Sequence, residues 1–105
     1  MPQMQELYLN GTGITDDGLA SFGKLARLRV LHANDSRLTG AGLAYLRNCR
    51  QLENVELHRT MLDDAGLEQA ALLSAIKALG IAGTKATDEG VAALKSKKPE
   101  LNLGR

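Results

Sequence analysis

The chain has 105 residues, of which 44% are hydrophobic, so it can form the core of one soluble domain. Its 13 basic and 12 acidic residues nearly balance, which argues against nucleic acid as a dominant electrostatic partner. No apolar run is long enough to span a membrane, so we expect no membrane partner. The N-terminus lacks a signal-peptide pattern, so the compartment stays open, with the cytoplasm as the default.

Four glycines recur at an interval of 24 residues, and the same interval relates a series of aliphatic residues. The two series are Gly18, Gly42, Gly66 and Gly90, and Leu7, Leu31, Val55, Leu79 and Leu103. The interval predicts one domain of about four units, at 1–24, 25–48, 49–72 and 73–96, with a partial fifth at 97–105. Because a unit of this length cannot bury an apolar face alone, we expect the units to stack and share one core.

Each unit is expected to begin with a short strand. Leu7 and Leu9 alternate with polar residues in the first unit, and counterparts of this pair follow in the other units. This alternation predicts a strand of about three or four residues with one face turned inward.

A helix is expected to follow in each unit, beginning after Thr15, Thr39, Asp63 and Thr87. These are good N-cap residues, and acidic side chains follow three of them. The apolar pairs at helical spacing are Leu19 and Phe22, Leu43 and Leu46, Leu67 and Ala70, and Val91 and Leu94. We expect about two or three turns in each helix and a C-terminal cap at Gly23 for the first. The second helix is expected to start less firmly, because Gly40 stands where the other units have an acidic residue after the N-cap.

Together these elements resemble the leucine-rich repeat family over essentially the whole chain. The resemblance depends on the pattern Leu52-x-x-Val55-x-Leu57-x-x-Thr60-x-Leu62 and on Ile14-Thr15-Asp16-x-Gly18-Leu19, which is similar to the helix-bearing ribonuclease-inhibitor-like and cysteine-containing subclasses. It implies an α/β right-handed solenoid with short parallel strands on a concave face and helices on a convex face. By analogy with the family's buried ladder, the hydroxyls at Thr12, Ser36, Thr60 and Thr84 are expected to bond to loop backbone of the next unit.

Function is expected on the concave face, where the residues between the inward positions point outward. These residues are polar or aromatic in the first three units and reduce to Ala and Gly in the fourth. The predicted contact residues for a protein partner are Glu6, Tyr8, His32, Asn34, Glu56 and His58. The family implies the same role, since its members serve mostly as recognition modules. We therefore expect a non-catalytic scaffold without cofactor or metal, and no enzyme motif contradicts this.

Two other functions stay open. His32, Glu56 and His58 come from adjacent predicted strands and offer the donor types of a transition-metal or hydrolytic site. The second alternative is that the chain serves as a structural spacer within a longer array. Since neither end carries a polar cap, we expect a fragment of a longer protein, or else end-to-end self-association.

Two smaller features have local explanations. Cys49 occupies the position of Leu25 and Leu73 in their units, which predicts a buried packing thiol and not a nucleophile. The lysines at 95, 97 and 98 are interpreted as a solvated helix end.

Overall fold

Five strands form one parallel sheet in chain order in the computed structural model, which describes residues 4–105. They are β1 (Glu6–Tyr8), β2 (Val30–His32), β3 (Asn54–Glu56), β4 (Ala78–Gly80) and β5 (Asn102–Gly104). Each strand residue pairs with the residue 24 positions further along, so that Leu7 faces Leu31 and Leu31 faces Val55. The predicted strands and their common inward row are confirmed.

Helical segments connect the strands. They are α1 (Asp16–Leu19) with a 3₁₀ turn (Ala20–Phe22), a 3₁₀ helix (Gly40–Leu46), α2 (Asp64–Ala70) and α3 (Asp88–Lys97). The prediction of a two- or three-turn α-helix therefore holds for the third and fourth units but is wrong for the first two. In the second unit Gly40 and Gly42 both lie in the first turn, and glycine is the poorest helix former after proline.

The predicted N-caps form in three of the four segments. The side chains of Thr39, Asp63 and Thr87 accept backbone N–H groups of the first helical turn, whereas Thr15 has the extended cap backbone but no side-chain cap bond. Gly23 does end the first 3₁₀ turn, but its φ of −65° is right-handed, so it is not a left-handed glycine cap. The glycine is required there because a Cβ would lie 2.5 Å from the carbonyl oxygen of Tyr45.

The core lies between the sheet and the helical segments. The middle residues of β2 and β3 are buried while their neighbours are partly exposed, so one sheet face is covered and the other is open. The buried aliphatic side chains include Leu19, Leu31, Leu43, Val55, Leu67, Leu79 and Leu94. Cys49 is buried among them, which confirms its predicted packing position. The same burial raises the pKa of its thiol.

Successive helical segments approach each other closely at the periodic glycines. Asp16 accepts the backbone N–H of Thr39 at 2.9 Å and also its hydroxyl, and a Cβ on Gly42 would overlap the same carboxylate. Asp64 accepts the N–H of Thr87 at 2.8 Å and its hydroxyl at 2.6 Å. The glycines thus let a carboxylate of one unit bind the N-cap residue of the next.

The boundary between the second and third units is built differently. Gly40 stands where the neighbouring units have an acid, and it packs directly against Gly66, where a Cβ would lie 2.6 Å from the Cα of Gly40. Both glycines are buried. At this boundary the two backbones touch directly, where the other boundaries have a hydrogen bond between a carboxylate and a hydroxyl.

The hydroxyl side chains after the strands do not reach the next unit, contrary to the prediction. Each donates to the carbonyl three residues earlier in its own unit, as in Ser36 to Ala33 at 2.7 Å and Thr60 to Leu57 at 2.8 Å. Thr12 and Thr84 make the same bond. A short hydroxyl side chain readily bonds to a nearby backbone carbonyl of its own segment, and these side chains do so instead of reaching the next unit.

Candidate functional site

The six predicted contact residues belong to the open sheet face, by which we mean the face not covered by the core. Glu6 and Tyr8 lie on β1, His32 on β2 and Glu56 on β3, while Asn34 and His58 follow β2 and β3 by two residues. The parallel register places Tyr8, His32 and Glu56 side by side on three neighbouring strands.

Tyr8 is an exposed aromatic side chain of this face, with 56% of its surface exposed. Its hydroxyl donates to Glu6 Oε1 at 2.7 Å, and its ring meets that of His32 edge-on, with the centroids 4.9 Å apart. The bond to Glu6 raises the pKa of the Tyr8 phenol, and partial desolvation and the charges of Glu6 and Glu56 act in the same direction. The phenol is therefore held in one orientation as a protonated donor.

Glu56 is held from two sides. Its Oε2 lies 3.3 Å from Nε2 of His32, and its Oε1 accepts a hydrogen bond from Asn34 Nδ2 at 3.0 Å. Nε2 of His32 is buried and makes no aligned hydrogen bond despite its closeness to Glu56. Both ring and carboxylate remain partly exposed, so each can also meet a partner.

A ladder of side-chain acceptors links the units beside this cluster. Asn10 Oδ1 accepts the backbone N–H of Asn34, Asn34 Oδ1 accepts that of His58, and Nδ1 of His58 accepts that of Ala82, at 2.8, 2.8 and 2.9 Å. This is the linkage that sequence reasoning assigned to the hydroxyls. Asn34 is only 9% exposed and is bonded at both ends, so it lies beneath the contact surface as a positioning residue and not on it as predicted.

His58 extends away from the His32–Glu56 pair. Its ring covers Gly80, where a Cβ would lie 2.6 Å from Cε1, so the missing side chain of Gly80 makes room for the imidazole. Since Nδ1 accepts a hydrogen bond, the neutral ring carries its proton on Nε2. Within residues 4–105 no three His, Cys, Asp or Glu side chains are placed to hold a metal ion together.

Beyond His58 the open sheet face contains a shallow trough of about 290 Å³. Its lining includes Ala78, Gly80 and Gly104, with Glu56 and His58 among its polar groups. The amides of Asn54 and Asn102 also line it. Sequence reasoning did not select these two asparagines, although the 24-residue interval already placed both of them in the column of Glu6.

Side-chain contacts link neighbouring strands on this face. Tyr8 of β1 contacts His32, His32 contacts Glu56, and the imidazole of His58 lies over Gly80. Because β4 carries only Ala78 and Gly80 on this face, no side chain from it covers β5 and the trough stays open.

No family model matches the chain, and the curated proteins include no significant match. Within the described part of the chain, no helix is long and apolar enough to cross a bilayer.

Proposed function

We propose that this chain is a leucine-rich repeat solenoid that binds a protein partner on its open sheet face, the concave face of such a fold, and performs no catalysis. A five-stranded parallel sheet with a constant 24-residue register supports the solenoid interpretation. Helical segments on the other side of the core support it as well.

The observation that carries the binding role is the immobilised cluster around Tyr8. An exposed tyrosine braced by Glu6 and His32 loses little rotamer freedom when a partner covers it. Tyrosine is also enriched among the residues that dominate interface energies. Glu56, fixed by His32 and Asn34, adds an oriented charge beside this anchor.

The charge of the face indicates the chemistry of the partner. The strand residues that point outward include the carboxylates of Glu6 and Glu56 and no lysine or arginine. A partner surface with an arginine or lysine near Glu56 would complete this arrangement. The neighbouring trough of about 290 Å³ has room for one partner side chain.

The test is affinity capture with two matched double variants. Tyr8→Ala with Glu56→Gln alters the open sheet face, whereas Tyr45→Ala with Glu68→Gln removes the same groups from exposed positions on the helical side. We expect proteins that wild type and the second variant retain but the first loses, followed by a fall in affinity of about tenfold or more for a purified partner.

Two outcomes would contradict the proposal. Equal capture by both variants would show that the open sheet face is not used, and the absence of any specific partner would favour the structural spacer. A melting temperature that rises with zinc, and no longer does so in His32→Ala, would instead support the metal site.

A further inference from the structure

The near-zero net charge conceals two oppositely charged edges of the sheet. Four segments, 23–29, 47–53, 71–77 and 95–101, precede strands, and the starts of parallel strands lie at one edge. We call these segments the basic rim, because they carry nine basic residues and two acidic ones. The basic residues are Lys24, Arg27, Arg29, Arg47, Arg50, Lys77, Lys95, Lys97 and Lys98, and the acidic ones are Glu53 and Glu100.

The opposite edge, where strands end and helical segments begin, has the reverse composition. We call its segments, 10–17, 35–41, 59–65 and 83–89, the acidic rim, and they carry seven acidic and three basic residues. These are Asp16, Asp17, Asp35, Asp63, Asp64, Asp88 and Glu89, and Arg37, Arg59 and Lys85. The balance of charge that argued against an electrostatic partner is thus an average over two unlike surfaces.

Local structure explains only part of the basic rim. Arg29 and Lys77 approach Glu53 at 3.9 and 4.0 Å, and Lys95 donates to the carbonyl of Leu101 at 2.8 Å. Compensation of the helix dipole accounts for Lys95 and Lys97 in the last turn of α3 and for Lys98 at its C-cap, but the earlier helical segments have no basic residue in their last turns.

Four cations of the rim are left without such a role. Lys24, Arg27, Arg47 and Arg50 are exposed and make no ion pair or side-chain hydrogen bond within residues 4–105. Their charge is available to something outside the chain.

Two of these arginines line a depression that also contains an exposed leucine. Arg47 and Arg50 line a depression of about 530 Å³ together with Asn48, Ser74 and Leu72, and 51% of the Leu72 surface is exposed. The depression therefore combines cations, neutral hydrogen-bonding groups and an apolar contact. It contains no aromatic ring on which a base could stack.

We propose that the basic rim is a second binding surface, whose occupant is an acidic protein segment that places an apolar side chain on Leu72, in the depression that Arg47 and Arg50 also line. Carboxylates of the segment pair with the two guanidinium groups, and the apolar side chain removes Leu72 from water. Charge complementarity and the exposed leucine favour this occupant over nucleic acid, which relies on phosphate contacts and stacking.

The experiment measures fluorescence anisotropy with three labelled probes. These are a peptide of about twelve residues that alternates Glu with Leu, the same peptide with Ser in place of Leu, and a single-stranded DNA of equal charge. Wild type should bind the Glu–Leu peptide most tightly, and about 0.3 M salt should weaken the binding because exposed charge pairs are screened.

Matched variants locate the binding. Arg47→Glu with Arg50→Glu should weaken binding of the Glu–Leu peptide by about tenfold or more, since two attractions become repulsions. Arg37→Glu with Lys85→Glu makes the same change in net charge on the acidic rim and should alter affinity less than about twofold. Leu72→Ser should weaken the Glu–Leu peptide several-fold and leave the Glu–Ser peptide unchanged.

Three results would overturn the inference. They are equal losses in the two charge-reversal variants, tighter binding of DNA with no effect of Leu72→Ser, and no peptide binding at low salt. The substituted side chains are exposed, and circular dichroism verifies that the variants fold. Tyr8→Ala with Glu56→Gln should not affect these probes, so the result is independent of the proposed role of the open sheet face.

Discussion

The boundary between the second and third units and the boundary between the third and fourth solve the same packing problem in different ways. At the first, Gly40 lies against Gly66 with no side chain between them. At the second, the Asp64 carboxylate accepts both the N–H and the hydroxyl of Thr87. The first boundary depends on the missing side chains of two glycines, and the second depends on hydrogen bonds to a carboxylate.

The difference shows that equivalent positions in a periodic sequence need not be interchangeable. A position that looks like a defect in the pattern, the glycine at 40, is required by the glycine that it faces. Its substitution should consequently be more damaging than the loss of a carboxylate at the same position of the next unit. The following experiments test this order.

The largest effect is expected for Gly40→Ala. The added Cβ would collide with the buried backbone of Gly66, which cannot move aside as a side chain can, so the free energy of unfolding should fall by about 3 kcal/mol or more. Gly18→Ala is the control, because its Cβ would meet only the flexible Ile14 side chain, at 3.0 Å, and should change stability by less than about 1 kcal/mol. Urea denaturation measures both. Similar losses in the two variants would contradict the close-contact explanation.

An intermediate effect is expected for His58, which links the third and fourth units on the open sheet face. His58→Ala removes the acceptor of the Ala82 N–H and should reduce stability by about 1–2 kcal/mol. His58→Asn should restore much of this loss, since Asn34 makes the equivalent bond one unit earlier. His32→Ala is the control on the same face and should destabilise less, because Nε2 of His32 makes no aligned hydrogen bond.

A smaller and pH-dependent effect is expected for Asp64→Asn. Hydrogen bonds from the Thr87 hydroxyl and then the Thr87 N–H lower the pKa of Asp64 below its ordinary value. A lowered folded-state pKa means that the stabilisation is complete above the unfolded-state pKa and is lost as the pH falls through the folded one. The stability difference between wild type and variant should therefore shrink from neutral pH toward strongly acidic pH, as denaturation at several pH values measures. A difference that grows in acid would reverse this assignment.

The smallest effect is expected for Asp35→Asn. Asp35 and Arg59 adopt left-handed backbone conformations at equivalent positions of their units. The Arg59 guanidinium donates two hydrogen bonds to the Asp35 carboxylate, at 2.6 and 2.9 Å. These bonds lower the pKa of Asp35. Both side chains are exposed, so solvent screens the pair and its stabilisation is slight. Thermal melting with and without about 0.5 M salt should show the wild-type advantage only at low salt.

Sequence periodicity predicted the strands, their register and the burial of the aliphatic rows, because these depend on spacing alone. It did not predict that the second helical segment is a 3₁₀ helix, since the pattern of N-cap and apolar residues does not take account of the two poor helix formers, Gly40 and Gly42, in its first turn. The outward residues of the candidate site were also predicted by alternation. Their partners were not, because the acceptor ladder through Asn34 and His58 depends on side-chain length and direction across two strands.

The charge division between the rims was present in the sequence from the beginning. It depends on the edge of the sheet at which each segment lies, and the parallel topology defines that edge. A total of charged residues cannot reveal such a division.

Side-chain contacts couple neighbouring strands of the open sheet face. Because Tyr8 contacts His32, and His58 lies over Gly80, the surface at each of these strands depends on its neighbour. A graft that transplants one strand's specificity would therefore need a neighbouring strand as well. Consecutive pairs, and not single units, are the natural building blocks for redesigning this surface.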